Sequence, residues 1–294
     1  MSSAAPRPWQ LLALLDETSR FFAAKKIDNP RLQAELLLAD VLALKRLDLY
    51  LRFDQLLSAA QVDAYREHVR QRLRGVPLQY ITGKAGFRNL TLAVDQAALI
   101  PRPETEILVE AALEHLRGCE APQVLDLGCG SGAIALALAQ ECPAARVKAT
   151  DISPPALALA RRNARQQGLE ERVAFCCGDL LAPLQPAGQF HLIACNPPYV
   201  CRGDLDGLEP QVRDYEPRLA LDGGEDGLDF HRRLVEQAAP FLAPRGMRGR
   251  GVGVGQADEV AGLLQQRGAF APARIRPDLA GIPRVVSALR SGGR

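Results

Sequence analysis

The sequence predicts an α/β protein: a doubly wound parallel sheet over residues 101–294, preceded by a small all-helical domain over 1–75 and a β-hairpin linker over 76–100. Three observations carry this reading. The first 75 residues show helical periodicity and capping signals with no strand pattern, residues 76–100 alternate around Gly83, Gly86 and Asn89, and beyond Pro103 short apolar strands alternate with helices. Such alternation places parallel strands side by side with helices on both faces of the sheet.

In chain order, Trp9 to about Lys25 is rich in Leu and Phe at helical spacing, and Asp28-Asn29-Pro30 offers a cap followed by proline at the first helical position. Ser58-Ala59-Ala60-Gln61 has the spacing of a capping box, and Val62, Tyr65, Val69 and Leu73 fall on one face of the helix it opens. Gly75 and Pro77 stop that helix. In the linker, Tyr80-Ile81, Phe87 and Leu90 to Val94 carry the alternation. Strands are then expected at Val124 to Leu127, Arg146 to Thr150, Val173 to Cys176 and Phe190 to Cys195, with helices at Ala133 to Gln140 and at Pro154 to Gln167, the latter capped by Ser153 and ended by Gly168.

Composition excludes several classes. Hydrophobic residues at 47% and charged residues at 24% are ordinary globular values, which rules out a disordered, collagen-like or disulfide-stapled chain. Thirty-six basic against 34 acidic side chains leave a net charge of +2, too little to argue for nucleic acid or a membrane surface. The seven cysteines are odd in number and contain no C-x-x-C pair, so free, mostly buried thiols in a reducing compartment are expected, and no metal site. The longest apolar run, Ala133 to Ala139, is far too short to span a bilayer, and no signal peptide is visible, so the expected location is cytoplasmic.

The chemistry concentrates after the strands. Asp126-Leu127-Gly128-Cys129-Gly130-Ser131-Gly132 lies between a strand and a helix, where glycines allow close backbone approach and the helix N-terminus offers free N–H groups. Asp151 ends the next strand, where its carboxylate can accept hydrogen bonds from both ribose hydroxyls of a nucleoside. Gly128, Gly130 and Ala133 also fit a dinucleotide fingerprint, so the glycines alone do not separate a dinucleotide from S-adenosyl-L-methionine. Asp126 tilts the choice, because a carboxylate beside the loop suits a cationic methionine moiety better than a pyrophosphate. Asn196-Pro197-Pro198-Tyr199 follows the last apolar strand, and its prolines force an extended exit with backbone carbonyls free of strand partners. The plain alternative is a strand-ending proline turn.

Asp126 to Gly132, Asp151, Gly178-Asp179 and Asn196 to Tyr199 resemble the ordered motifs of class I S-adenosylmethionine-dependent methyltransferases acting on planar nitrogen. Gln79 to Gly83, Phe87, Ile100 to Glu106, Glu216 to Leu221 and Gly223 to Gly227 are similar to one family within them, the peptide chain release factor glutamine N5-methyltransferases of the PrmC/HemK type. The resemblance implies a Rossmann-like seven-stranded domain, where periodicity alone gives about five strands. It implies transfer of a methyl group from S-adenosyl-L-methionine to the side-chain amide of the glutamine in the Gly-Gly-Gln motif of class 1 release factors, with the helical domain recognising the protein substrate and translation termination as the process affected. A monomer without direct nucleic-acid binding is expected.

It also implies site roles. Asp126, Gly128, Cys129, Gly130, Ser131, Gly132, Asp151, Asp179, Leu180 and Asn196 would hold the cofactor. Asn196, Pro197, Pro198 and Tyr199 would hold the substrate amide, with Asn196, Pro197 and Tyr199 catalytic. The Asn196 side-chain oxygen and the Pro197 carbonyl would accept the two amide N–H bonds and turn the nitrogen lone pair toward the methyl group, while Tyr199 packs on the substrate plane or the cationic centre. Leu180 fits core packing as well as an adenine contact. Arg102 and Glu104 to Glu106 fit the cavity mouth or structural ion pairs. Arg66, Arg70 and Arg74 recur at i, i+4 and i+8 on a solvated face or an acidic-partner surface.

One stretch departs from the family. Where an apolar strand ending in Glu-x-Gly is called for, the chain reads Arg245-Gly246-Met247-Arg248-Gly249-Arg250-Gly251-Val252-Gly253-Val254-Gly255. Glycine and arginine suit a buried strand poorly, so either a shorter, less stable strand or an altered version of the ancestral segment is expected there. The rival function is methylation of an exocyclic amine of adenine or guanine in RNA or DNA, since Asn-Pro-Pro-Tyr also serves those planar nitrogens.

Overall fold

The computed structural model describes residues 9–266 and 268–291, so the outer limits of the expected domains, residues 1 and 294, lie outside the described residues. The chain divides between Gly83 and Lys84 into two compact units. The first is helical: α1 (Leu11–Ala24), α2 (Pro30–Val41), α3 (Arg46–Leu51), α4 (Ala59–Leu73) and α5 (Leu78–Thr82). Ser58 and Gln61 form the capping box, with Gln61 N–H donating to Ser58 Oγ at 3.2 Å and Ser58 N–H donating to Gln61 Oε1 at 2.9 Å. Asn29 caps nothing with its side chain; it adopts a left-handed φ of 46° and hands over to Pro30. Leu11, Leu15, Phe22, Leu37, Leu38 and Tyr65 fill the core of this unit. At its edge the buried Glu35 carboxylate accepts from Arg31, Arg46 and Tyr50, which satisfies a charge that would otherwise be costly to bury.

Tyr80-Ile81 lie in α5 and not in a strand as the alternation suggested, because Pro77 opens a helical turn that Gly83, at φ 68°, closes. The hairpin proper is β1 (Lys84–Phe87) and β2 (Leu90–Ala93), and it belongs to the second unit. Then follow α6 (Pro103–Leu116), β3 (Gln123–Leu127), α7 (Ala133–Glu141), β4 (Arg146–Asp151), α8 (Pro154–Gln166), β5 (Val173–Cys177), β6 (Phe190–Cys195), α9 (Pro210–Arg213), α10 (Asp229–Gln237), β7 (Leu242–Gly251), α11 (Ala257–Gln266), β8 (Arg274–Pro277) and β9 (Pro283–Leu289). The seven strands β3–β9 order as β5-β4-β3-β6-β7-β9-β8, parallel from β5 to β7 and antiparallel for β9 and β8. One core cluster packs α6, α7 and part of α8 on one face, and a second packs α10 and α11 on the other. The order reverses between β3 and β6, and in an open sheet the crevice at the carboxyl ends of such strands is where ligands bind.

The Gly/Arg segment does form a strand, β7. It runs ten residues, pairing Leu192 to Cys195 of β6 with Met247 to Arg250 on one side and Val285 to Leu289 of β9 on the other. Two ladders impose the extended backbone where propensity is poor. Glycine at 249 leaves room for Leu108 of α6, which a Cβ would approach to 2.9 Å. Arg248 and Arg250 point into the opposite layer, 2% and 1% exposed. Arg248 Nη1 donates to Leu234 O at 2.6 Å with its guanidinium 4.4 Å from the Phe270 ring centre, and Arg250 Nη1 donates to His231 O at 3.1 Å. Nε and Nη2 of both arginines are buried without a partner.

All seven cysteines are free, but only Cys129 and Cys195 are buried; Cys176 and Cys177 sit on the edge strand β5, which burial statistics for cysteine do not foresee. Among the described residues no helix is long and apolar enough to cross a membrane, and no group of three His, Cys, Asp or Glu side chains is placed to hold a metal ion.

Candidate active site

Four strands end at one crevice. The loop after β3 brings Gly128 to Ser131, β4 ends in Asp151, the turn after β5 brings Asp179 and Leu180, and β6 leads into Asn196, Pro197 and Pro198; all of these line a single cavity. The rest of the wall comes from Phe87 of β1, from Ala98, Ile100 and Arg102 on the approach to α6, and from Leu219 and Phe230.

Gly128 and Gly130 adopt φ of 67° and 55°, a left-handed backbone that folds the loop tightly over the end of the sheet. Asp151 anchors it, with Gly130 N–H donating to Oδ2 at 2.8 Å and Ser153 N–H to Oδ1 at 2.9 Å. Each carboxylate oxygen keeps one lone-pair site, so the pair still offers two acceptors to the cavity. Leu180, at φ 50°, both lines the cavity and packs in the core, and its carbonyl accepts from Thr150 Oγ1 at 3.0 Å. Asp179 faces the cavity while pairing with Arg233.

Three expected site residues stand off the cavity wall. Asp126 is fully buried on β3, where Oδ2 accepts from Ala135 N–H at 3.0 Å and Oδ1 has no partner. Burial pushes its carboxyl up to about 7, with the Asp151 charge adding to the shift. Gly132 turns the chain into α7 at φ 86°, where a Cβ would lie 3.3 Å from Ala160 Cβ, so its constraint is packing. Tyr199 lies half-buried behind the motif, with Cδ2 3.0 Å from where a Cβ on Gly253 would sit, and burial raises its phenol above the usual range.

Asn196 does line the cavity, and its Oδ1 lies only 2.2 Å from where a Cβ on Gly251 would be. The glycine at the end of β7 is therefore what leaves room for the carboxamide. Arg102 both lines the cavity and pairs with the buried Glu216 at 2.6 Å, while Glu216 Oε2 accepts from Ile100 N–H at 3.1 Å. Glu104 pairs with Arg284 at 3.8 Å and Glu106 accepts from Arg88 N–H at 2.9 Å, both structural contacts. Glu216 was visible only as part of a motif. Its role in fastening residues 100 and 102 depends on a contact across more than a hundred residues, which no local pattern encodes.

Comparison with known proteins gives the family. The PrmC N-terminal domain family matches residues 13–83, and the Methyltransferase small domain family matches residues 103–207. The chain is 44% identical over 289 residues to the release factor glutamine methyltransferase of Geobacter sulfurreducens, covering 98% of each chain. It is 45% identical over 276 residues to that of Moorella thermoacetica, covering 94% of this chain and 97% of the relative. Among solved structures, a methyltransferase from Pyrococcus furiosus is similar in fold, with a TM-score of 0.50 and 16% identity over 69% of this chain and 90% of the other.

Proposed function

The chain belongs to the release factor glutamine methyltransferases, and from that premise we propose that it transfers a methyl group from S-adenosyl-L-methionine to the side-chain amide N5 of the glutamine in the Gly-Gly-Gln motif of class 1 release factors. The observation that carries the reading is a single cavity lined at once by Gly128 to Ser131, Asp151 and Asn196 to Pro198.

The residues fit the cofactor. The glycine loop lets backbone approach closely, Asp151 keeps two acceptor sites for ribose hydroxyls, and Ile152, Leu180 and Ala156 supply apolar cavity wall for a base. When bound, S-adenosyl-L-methionine supplies a methyl group on a cationic sulfur. The protein's task is then orientation, since an amide nitrogen is a poor nucleophile whose lone pair is delocalised into its carbonyl. Asn196 Oδ1 and the Pro197 carbonyl accept the two amide N–H bonds and turn the lone pair toward the methyl group. The amide proton leaves to water after transfer, so no general base is required beforehand. Orientation of this kind is worth on the order of 7 to 11 kcal/mol. Asp179 and Leu180, which line the cavity, would border the adenine, and the helical unit would recognise the protein substrate. The proposal includes a cytoplasmic monomer.

Incubation with labelled S-adenosyl-L-methionine tests the reading, with a class 1 release factor and total RNA offered separately. Label on the release factor alone supports it. Label on RNA alone replaces it with the nucleic-acid amine reading.

A further inference from the structure

Gln256 lies between β7 and α11, away from the cavity lining, yet both ends of its carboxamide are engaged. Nε2 donates to the carbonyl of Tyr199 at 3.0 Å and, over a longer 3.4 Å, to that of Gly227; Oε1 accepts from Gly253 N–H at 3.0 Å. One side chain thus ties together the motif after β6, the glycine loop before α10 and the exit of β7. Two glycines make room for it. A Cβ on Gly227 would lie 2.4 Å from Tyr199 O and 2.6 Å from Gln256 Nε2, and one on Gly253 would lie 2.8 Å from Gln256 Oε1. Immediately downstream, Val200 N–H donates to Leu221 O at 3.0 Å and Gly223 N–H to Val200 O at 2.8 Å, so the Tyr199 carbonyl is the point where this segment is fastened toward β7.

We propose that Gln256 is a positioning residue: its carboxamide fixes the Tyr199 carbonyl and thereby the path of Asn196, Pro197 and Pro198 along the cavity. The catalytic consequence rests on the proposed glutamine methyltransfer; the structural one does not. Gln256→Ala removes the donor and the acceptor. Gln256→Glu keeps the acceptor for Gly253 N–H but aims a carboxylate oxygen at two carbonyls, and only its protonated form can donate to Tyr199 O.

Two readouts on the full-length chain test the proposal. Amide hydrogen exchange should quicken at Val200 and Gly223 in Gln256→Ala, with the Gly128 to Ser131 loop unchanged. Turnover on release factor should fall about 10²-fold in both variants, because a small misplacement near the chemistry costs that much, while the dissociation constant for S-adenosyl-L-methionine stays at the wild-type value. In Gln256→Glu the turnover relative to wild type should climb as pH falls from 8 towards the carboxyl's ordinary range of about 4 to 5. Exchange at Val200 and Gly223 equal to wild type overturns the proposal, as does a Gln256→Glu to wild-type ratio that is flat with pH in an active enzyme. A wild-type enzyme that leaves release factor unlabelled, with exchange still quickened in Gln256→Ala, sinks the functional reading and leaves the positioning role standing.

Discussion

A carboxyl group shut away from water with one oxygen unpartnered responds strongly to any charge brought near it. Asp126 is such a group, two residues ahead of Gly128 in the cavity wall, with its carboxyl pushed up to about 7 by burial and the Asp151 charge. A cationic sulfur bound beside this loop favours the ionised form. The affinity for S-adenosyl-L-methionine relative to the neutral thioether S-adenosylhomocysteine should therefore rise as pH passes upward through about 7, by about tenfold if binding lowers the carboxyl by one unit. Asp126→Asn should flatten the dependence, and calorimetric titration with both ligands between pH 5.5 and 8.5 checks it; a ratio constant with pH in the wild type would refute this role. At this scale the sequence was informative where chemistry is local. Asp151, Gly128, Gly130 and Asn196 stand where their spacing after each strand put them, because strand ends and helix starts are local features. Glu216 and Gln256 had no readable role, since each works through backbone groups brought close only by the fold.

Among the elements, β7 is where local preference and fold disagree most. The Gly/Arg segment argued for a short or altered strand, yet β6 and β9 hold Met247 to Arg250 extended between them. The cost falls on Arg248 and Arg250, buried with no carboxylate partner and with Nε and Nη2 unsatisfied. Burial, with the charge of Arg250 adding to it, lowers Arg248 to about 8, and burial lowers Arg250 to about 10. Above about pH 8 the folded chain releases protons that the unfolded chain still binds, so stability rises with pH above about 8 and is lost as pH falls back through it. Replacing a buried unpaired charge by an apolar side chain of similar volume is commonly neutral or stabilising by about 1 to 4 kcal/mol. The double variant Arg248→Met/Arg250→Met should accordingly melt higher than the wild type at pH 7, by about 2 to 4 °C for each kcal/mol, with the gap narrowing at pH 9.5. Equal or lower melting at pH 7 would mean the guanidiniums are better accommodated than their hydrogen bonds indicate. β3 and β6 were legible because they are mostly apolar, as a strand covered on both faces requires.

At the scale of the whole molecule, the chain falls into two compact units. Composition and capping signals foretold a strand-free first unit, while its purpose came from the family resemblance alone. On α4, Arg66 pairs with Asp63 at 3.4 Å and Arg70 with Glu67 at 2.7 Å, all on exposed side chains. Exposed pairs of this kind contribute about 0 to 1 kcal/mol, so charge reversal there should leave folding intact. If the helical unit recognises the protein substrate through this face, reversing Arg66, Arg70 and Arg74 together leaves turnover on a short Gly-Gly-Gln peptide unchanged and raises KM for intact release factor. Equal effects on both substrates would remove that role.

The claim on which everything else depends is that Asn196 and Pro197 hold a glutamine amide in line with the methyl donor. Mass spectrometry of a class 1 release factor after incubation with S-adenosyl-L-methionine and either the wild-type enzyme or Asn196→Ala addresses it directly. The account predicts one methyl group on the Gly-Gly-Gln glutamine with the wild type and none with Asn196→Ala, although both bind the cofactor. Methylation of that glutamine by Asn196→Ala at the wild-type rate, or of a different residue by the wild type, would contradict it.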